Sequence, residues 1–438
     1  MTRAMPRRSA GFTLIEMMVA LVVGMVVILS VVAVQKAFES QRRTSTSGND
    51  LDNAGAYVLS QLDGALRSAG SGFSQVYTQT YGCQLYASNG GSVVVPPSSG
   101  AFPAPFENVL GASGIGGPVR MAPVIILPAN TTTSLLNGGN GSSDVLLVMG
   151  GAGSPANLQT PFAGVPTSTT LNLQNAVGFN PSDLVLITDT VQAGGPSPCL
   201  VDQLDSGAIS TTETFNASGS SSLTVNLSGT TYTSPLMAAH PFGVAGSAVS
   251  IGNANGNYPT FQLIGVGSNN QLMSYDLLNL QNSAPTPIGD AVMEMHALYL
   301  MNSTTGNGYV AANPSLSAYS PATLLAGTTA ASGTLTKITA VRVGLILKSP
   351  LLEKMVSGAG GNWQHVAPPT LTLFNDPDLV DASGVAITPY TRTLDPAGVC
   401  TAPGSVTGAN VPVAGCERDY RYRTVEVTIP LRNPMLLN

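Results

Sequence analysis

One apolar segment near the N-terminus constrains this chain more than any other feature. Residues 12–34 read FTLIEMMVALVVGMVVILSVVAV and contain a single charged side chain, Glu16. As a helix this segment is about 35 Å long, which is enough to cross a bilayer. It is too long for the apolar core of an ordinary signal peptide, and no clear A-x-A cleavage site follows it. The sequence therefore predicts a membrane-spanning helix.

The residues on either side of the start of this helix carry unusual charges. Before it lies a short basic leader, MTRAMPRRSAG, with three arginines. Within it lies Glu16, and a carboxylate inside a membrane span is costly unless it is paired. In an alternative interpretation, Glu16 lies near the lipid headgroups and is hydrated there. A lone carboxylate in such a span indicates a function at this end of the chain.

The string GFTLIE, residues 11–16, closely resembles the processing motif of type IV prepilins and type II secretion pseudopilins. This resemblance implies that a membrane peptidase cuts between Gly11 and Phe12 on the cytoplasmic side and then methylates the new N-terminus at Phe12. It also implies that the chain after about residue 36 lies in the periplasm. The chain is then a substrate of prepilin peptidase and not itself an enzyme.

Cleavage after Gly11 would create an ammonium group on Phe12, four residues before Glu16. In an assembled bundle of helices, Glu16 of a neighbouring subunit can neutralise this ammonium where water is scarce, whereas either charge left unpaired there is strongly unfavourable. We therefore predict that Glu16 sets the axial register of the subunit in an assembly. Loss of the leader leaves 14 basic residues against 23 acidic ones, which lowers the formal charge from -6 to -9.

The rest of the chain is poor in charge, and its few charges are unevenly placed. Only 9% of the 438 residues are charged, and Gly and Pro are abundant, which favours many short strands joined by turns over an all-helical body. No Lys or Arg lies between Arg120 and Lys337, whereas nine acidic residues do. We expect an acidic surface there that repels phosphate, and hence no binding of nucleic acid.

The membrane helix is predicted to continue into the following domain. Apolar residues recur at three- and four-residue steps and form a stripe that we expect to pack on the protein's own sheet: Leu51, Ala54, Val58, Leu62, Ala65 and Ala69. Residues 44–49 are poor helix formers, so we expect a break or a frayed joint there. The glycines at 70 and 72 are expected to stop the helix.

Strands are predicted downstream by apolar runs bounded by turn residues: 144–149, 183–189, 222–227, 258–267, 292–301, 336–348 and 424–431. The last three are expected to share one antiparallel sheet. Apolar and polar residues alternate in the final strand, which predicts that one face of the sheet is wet. The predicted fold class is α+β and pilin-like, with a long N-terminal helix packed on an antiparallel sheet in an enlarged, loop-rich head.

Three further segments resemble the PilW family of type IV pilus minor pilins: residues 62–70 followed by Tyr-Gly-Cys at 81–83, residues 292–299, and residues 422–433. The resemblance implies a leader at 1–11, a transmembrane and filament-core helix at 12–36, an amphipathic extension at 37–72 and a head at 73–438. It also implies a minor pilin that primes pilus assembly with other minor pilins, the major pilin and a PilY-type tip adhesin. Residues 85–285 resemble nothing that we can name.

The four cysteines, Cys83, Cys199, Cys400 and Cys416, show no metal-ligand spacing, so disulfides in an oxidising compartment are the better interpretation. Of the three possible connectivities we favour Cys83 with Cys199 and Cys400 with Cys416. No cofactor is expected. The turn containing Asp376, Asp378 and Asp381 is a weak candidate for calcium, although a plain Asx-rich turn is favoured.

Other functions are left open by the sequence. A minor pseudopilin of a type II secretion system shares the same N-terminus, but its usual head is smaller. An anchored periplasmic enzyme would need a nucleophile and a base in contact, yet the chain has no G-x-S-x-G, Walker A or H-E-x-x-H motif. The three histidines are far apart in sequence, and His296 is expected to be a packed residue in a strand. The central region could also be an adhesive module.

Overall fold

The computed structural model describes residues 13–111, 114–129, 143–152, 159–189, 198–207, 209, 214–215, 221–227, 232, 239–302, 309–353, 356–357, 363–364, 367–394 and 416–431. The helices are α1 Leu14–Arg67, α2 Tyr77–Thr80, α3 Pro321–Leu324 and α4 Thr329–Leu335, with 3-10 turns at Ser74–Val76, Ser317–Tyr319 and Glu417–Asp419. The predicted α+β pilin-like fold is confirmed: a long N-terminal helix precedes a mostly antiparallel, β-rich head.

The strands of the first half are β1 Gln84–Asn89, β2 Ser92–Val95, β3 Val124–Leu127, β4 Val145–Gly150, β5 Thr160–Pro161, β6 Thr170–Leu173, β7 Asp183–Thr188, β8 Pro198–Gln203, β9 Thr214–Phe215, β10 Ser221–Asn226 and β11 Ser247–Asn253. Those of the second half are β12 Thr260–Val266, β13 Leu272–Asp276, β14 Thr286–Gly289, β15 Val292–Asn302, β16 Tyr309–Ala312, β17 Ile338–Leu352, β18 Val356–Ser357, β19 Trp363–Gln364, β20 Thr370–Leu373, β21 Tyr390–Thr393 and β22 Tyr420–Pro430. Every strand named from the sequence is present.

Four larger sheets and two two-stranded pairs, β18-β19 and β20-β21, build the described part of the head. The main sheet has the order β16-β15-β17-β22, so the three strands predicted to pair do so. A five-stranded sheet, β14-β13-β12-β4-β3, shares its hydrophobic core with the main sheet and α1. A six-stranded sheet, β2-β1-β8-β7-β11-β5, and a small sheet, β6-β10-β9, enclose a second core. The central region that resembles nothing known thus adds a lobe to the pilin-like core.

Helix α1 is continuous from Leu14 to Arg67, so the predicted break at residues 44–49 is wrong. The small residues there serve close packing instead. The Ser47 hydroxyl lies 2.8 Å from that of Ser349, and a Cβ on Gly48 would lie 3.3 Å from an Arg421 nitrogen. Small side chains therefore bring the helix against the main sheet, and this packing outweighs their weak helix propensity.

The apolar stripe of α1 packs on the head as predicted. Leu51, Val58 and Leu62 are buried, and so is Leu66, which the stripe had not included. From about Ser47 onward the helix contacts β14, β17 and β22. It ends at Arg67, three residues before the expected glycine stop, and Ser68 caps it.

The outer face of the main sheet is covered, which corrects the prediction of a wet face. The segment 367–394, which we call the outer strap, contains β20 and β21 and packs a third hydrophobic cluster against this face. Charged groups tie it down as well. Arg342 lies 2.8 Å from Glu426 and 3.2 Å from Asp376 of the strap. Of the polar residues that alternate along this strand, Glu426 therefore belongs to a second, charged interface, whereas Thr424 is exposed as predicted.

The expected acidic surface is also corrected. Of the nine acidic residues between Arg120 and Lys337, five are buried: Asp144, Asp183, Asp189, Asp202 and Glu294. Most of these carboxylates accept hydrogen bonds from the backbone. Asp144, for example, accepts from the amides of Ala129 and Ala297 at 2.8 and 2.9 Å. These acids fix loops to strands inside the head, and few of their charges reach the surface.

Candidate assembly site at the N-terminus

The membrane-spanning helix is exposed along its whole length. The segment from Leu14 to Lys36 contains an 18-residue stretch with a mean hydropathy of 3.0, and none of that stretch is buried in the head. Its large apolar side chains are between 41% and 79% exposed through Val34. Apolar surface of this extent is stable only against lipid or against other helices. The first half of α1 is thus built for a partner outside this chain.

A capping box at the start of α1 holds Glu16. The Thr13 hydroxyl accepts a bond from the Glu16 amide at 3.3 Å, and the Glu16 carboxylate accepts from the Thr13 amide at 3.1 Å. The Thr13 hydroxyl also lies 3.0 Å from the same carboxylate oxygen, Oε2. Sequence analysis missed this arrangement, although the spacing T-x-x-E is its usual signal. The carboxylate is exposed, and these contacts use only one of its two oxygens.

The proposed cleavage point lies just outside the described residues. Gly11 and Phe12 both precede Thr13, the first residue described, so cleavage there stays a prediction. Helix α1 begins at Leu14, directly after the N-cap. A mature chain starting at Phe12 would therefore place its ammonium one residue before the cap.

The predicted bridge between Cys83 and Cys199 is present. It joins the residue before β1 to the second residue of β8, with Cα atoms 5.7 Å apart. β1 and β8 pair in parallel immediately beyond it. Cys416 is also disulfide-bonded and buried, whereas Cys400 lies outside the described residues, so the pairing of these two stays a prediction.

The turn suggested for calcium uses its carboxylates elsewhere. Asp376 pairs with Arg342, and its other oxygen accepts from the Asp378 amide at 3.1 Å. Asp381 accepts from the amides of Ser383 and Val385. Within the described residues no group of His, Cys, Asp and Glu side chains is arranged to hold a metal ion. Calcium binding is therefore an untested prediction, and these contacts are those of an Asx-rich turn.

His296 belongs to a buried ionic cluster under the outer strap. Its ring stacks on Tyr390 at 3.7 Å, and its nitrogens lie 3.5 Å from Asp144 and 3.6 Å from Glu294. Burial alone would lower the pKa of His296, but the two carboxylates outweigh burial and raise the pKa to about 9. Arg392 of the strap lies 3.3 Å from Glu294. This cluster bonds the strap to the sheet.

The cluster does not have the composition of a catalytic site. A cavity of about 310 Å³ borders His296 and Tyr390. A histidine with a pKa of about 9 is protonated near neutral pH and cannot act as a general base there. In the part of the chain that the structure describes, His296 makes no hydrogen bond to a serine, threonine or cysteine that could serve as a nucleophile. The structural interpretation of His296 is favoured.

Comparison with known proteins yields one match. The family described as "Prokaryotic N-terminal methylation motif" matches residues 6–32, which include the predicted cleavage point and Glu16. No curated protein and no solved structure matches the chain significantly. The match thus concerns the N-terminal segment alone. Together with the exposed helix, it supports a type IV pilin-like protein, a pilin or pseudopilin that is a substrate of prepilin peptidase and is anchored in a membrane before assembly.

Proposed function

We propose that this chain is a PilW-like minor pilin that primes assembly of a type IV pilus and is incorporated into it. Prepilin peptidase cuts between Gly11 and Phe12 and methylates Phe12. The protein first spans the inner membrane once with its head in the periplasm, and then joins the pilus at the cell surface. Its partners are the major pilin, other minor pilins and a PilY-type adhesin near the tip.

The observation that carries this proposal is that the first half of α1 is apolar and exposed. The segment from Leu14 to Lys36 contacts no part of the described head, yet it is continuous with the half of the helix that packs on the sheet. Lipid covers it before assembly, and helices of neighbouring subunits cover it afterwards. Any movement of this helix out of the membrane therefore carries the head with it.

Glu16 supplies the specificity of the assembly step. Its Oε2 is engaged by Thr13, and Oε1 remains available to the ammonium on Phe12 of a neighbouring subunit. In a nonpolar environment these two charges are stable only when they are in contact with each other. The pair therefore favours a single axial offset between neighbouring subunits. The capping box orients the carboxylate for this contact before assembly begins.

The test separates the two roles of Glu16. Glu16→Ala removes both the charge and the cap, whereas Thr13→Ala removes the hydroxyl half of the cap and keeps the charge. We expect both variants to be cleaved, Glu16→Ala to be at least about tenfold depleted from sheared filaments, and Thr13→Ala to be depleted far less. Quantitative mass spectrometry of sheared filaments and membranes measures this. Equal incorporation of Glu16→Ala and wild type would contradict the charge-pairing proposal.

A minor pseudopilin of a type II secretion system is the second candidate, because the matched motif occurs at the start of both classes. The large central lobe, with its own hydrophobic core, favours the pilus, since it adds surface beyond the pilin-like core. Recovery of the protein in sheared surface filaments would support the pilus. Recovery only in the membrane, with loss of secreted enzymes on deletion, would support the pseudopilin.

A further inference from the structure

The lower end of the main sheet points toward the membrane. Among the α1 side chains that the structure describes, Ser47 is the first that is buried, and its hydroxyl contacts that of Ser349 in β17. Farther along the helix, a Cβ on Gly55 would contact Leu347. Helix and strand therefore run in opposite directions. Because α1 approaches the head from its membrane half, β17 descends toward the membrane beyond Ser349 and ends at Leu352.

The distances bring the end of β17 to the headgroups. Eleven residues of helix separate Lys36 from Ser47, a rise of about 16 Å. Beyond Lys348 a β-bulge places four residue steps of β17 opposite two of β22, so the stretch from Ser349 to Leu352 returns only about 5 Å of this distance. The tip of the strand then lies about 11 Å above the level of Lys36, which ends the apolar span. The headgroup layer on each side of a bilayer is about 5 to 7 Å thick, so side chains at the tip reach its outer edge.

The chemistry of this end is that of a membrane interface. Leu351 and Leu352 are 50% and 36% exposed. Beside them, across a β-bulge, lies the start of β22, with Leu352 paired to Tyr420. The ammonium of Lys348 lies 4.1 Å from the ring of Tyr420. Exposed leucines, tyrosines and basic side chains together are typical of protein surfaces that contact lipid headgroups.

Two arginines line a groove beside this tip. The groove has a volume of about 350 Å³ and lies between α1, the outer strap and β22, bordered by Gly48, Leu51, Ala367, Pro368 and residues 420–423. Arg421 lies 3.2 Å from Glu353, and Arg423, which is 56% exposed, lies 2.8 Å from Asp52. The Arg423–Asp52 pair is exposed and therefore weak, so phosphate can compete for the Arg423 guanidinium, whereas the Glu353 side chain is only 10% exposed and holds Arg421 in the wall of the groove.

We propose that this surface, formed by Lys348, Leu351, Leu352, Tyr420, Arg421 and Arg423 and here called the basal surface, docks on anionic phospholipid headgroups while α1 spans the membrane. The leucines contact the outer edge of the headgroup layer and the basic side chains bind lipid phosphates. Docking holds the head against the membrane and fixes its orientation before assembly. The contact must break when the subunit leaves the bilayer. This inference requires only that α1 is anchored, and not that the chain forms a pilus.

Hydroxyl-radical footprinting of the purified full-length chain tests the proposal, because it reads the solvent access of leucine and tyrosine side chains. The chain is placed in nanodiscs of phosphatidylcholine alone or of phosphatidylcholine with phosphatidylglycerol. We expect oxidation of Leu351, Leu352 and Tyr420 to fall in the anionic discs and to recover at high salt. Val244, exposed in the central lobe, should be oxidised equally in both.

Matched variants show which charges act. R421Q and R423Q together should raise oxidation of the leucines in anionic discs to the level seen in neutral discs. Each charge removed should reduce the protection of the leucines from oxidation by about fivefold. R67Q removes the same charge from the far end of α1 and should change nothing. Equal oxidation of the basal leucines in the two kinds of disc would overturn the proposal. So would a rise in leucine oxidation by R67Q as large as the rise caused by R421Q and R423Q. Neither result would bear on pilus assembly, since no other subunit is present.

Discussion

At the residue scale, buried carboxylates hold the loops of the head in position. Asp183 accepts from Ser250 and Asn253 as well as from a loop amide, and Asp276 accepts from three amides of the loop that follows it. Because burial without a partner is costly for a charge, these bonds specify where each loop lies. A chain with few charges thus places several of its carboxylates inside the head, where they define structure.

Asp202 differs from these acids because one of its carboxylate oxygens has no hydrogen-bond partner, and it therefore predicts that the stability of the head depends on pH. Its Oδ2 is buried without a hydrogen bond, and burial raises its pKa to about 7, from about 3.8 when unfolded. The folded state then binds the proton more tightly than the unfolded state. Stability should fall as pH rises from about 4 to about 7 and then level off. Thermal melting in detergent across this range measures the slope.

Asp202→Asn should remove that slope and stabilise the head at pH 8 by about 1 to 3 kcal/mol, since no charge must be buried. Asp290→Asn, at an exposed acid, serves as the matched control and should leave the slope unchanged. A wild-type protein whose melting temperature does not depend on pH between 4 and 7 would show that Asp202 is not in the environment described.

At the scale of elements, the contact between α1 and the sheets depends on small residues. Gly289 of β14 has no room for a Cβ, because that atom would meet the Cγ2 of Val58. Gly48 and Ser47 allow the same closeness at the lower end of the helix. The stripe of leucines and valines determines which face of α1 packs on the sheets. The small residues determine the distance between the helix and the sheets.

Gly289→Ala should overpack this contact and destabilise the head by about 1 to 3 kcal/mol. Val58→Ala in the same chain should recover part of that loss, because it removes the atom in conflict. Gly64→Ala lies on the open side of the same helix, with nothing within 4 Å of the new Cβ, and should be neutral or stabilising by up to about 1 kcal/mol. Additive effects of the first two changes in a double-mutant cycle would contradict the packing described.

How much of this could be read from the sequence differs between elements. The span, the stripe on α1 and the strands were predictable because periodicity reports burial directly. The continuity of α1 through residues 44–49 was not, because it depends on a sheet formed 300 residues later in the chain. The outer strap was not predicted for the same reason. The alternation of polar and apolar residues in β22 shows which side chains are polar, but it cannot show that Arg342 and Asp376 lie against one of them. The Thr13 cap of Glu16 was readable and was overlooked.

At the scale of the whole molecule, one disulfide joins the exit of α1 to the central lobe. Cys83 follows the helical turns that leave α1, and Cys199 lies in the six-stranded sheet, 116 residues farther along the chain. Closing so long a loop restricts the unfolded chain by several kcal/mol in the entropic treatment. The bridge thus couples the lobe to the pilin-like core.

Cys83→Ser with Cys199→Ser should lower head stability by about 2 to 5 kcal/mol and expose the central lobe to protease before the main sheet. Limited proteolysis read by mass spectrometry locates the first cuts, and the double substitution avoids a lone thiol. Cleavage that begins in the main sheet, or stability equal to that of the wild type, would contradict this role of the bridge.

The central claim is that the chain is matured at its N-terminus into a filament subunit. Intact-protein mass spectrometry of the chain purified from its native host tests this most directly, with a bulky substitution of Gly11 as the control that should block processing. The account predicts a mature protein that begins at Phe12 and carries one added methyl group. Native protein that retains its first eleven residues while the pilus machinery is active would contradict it.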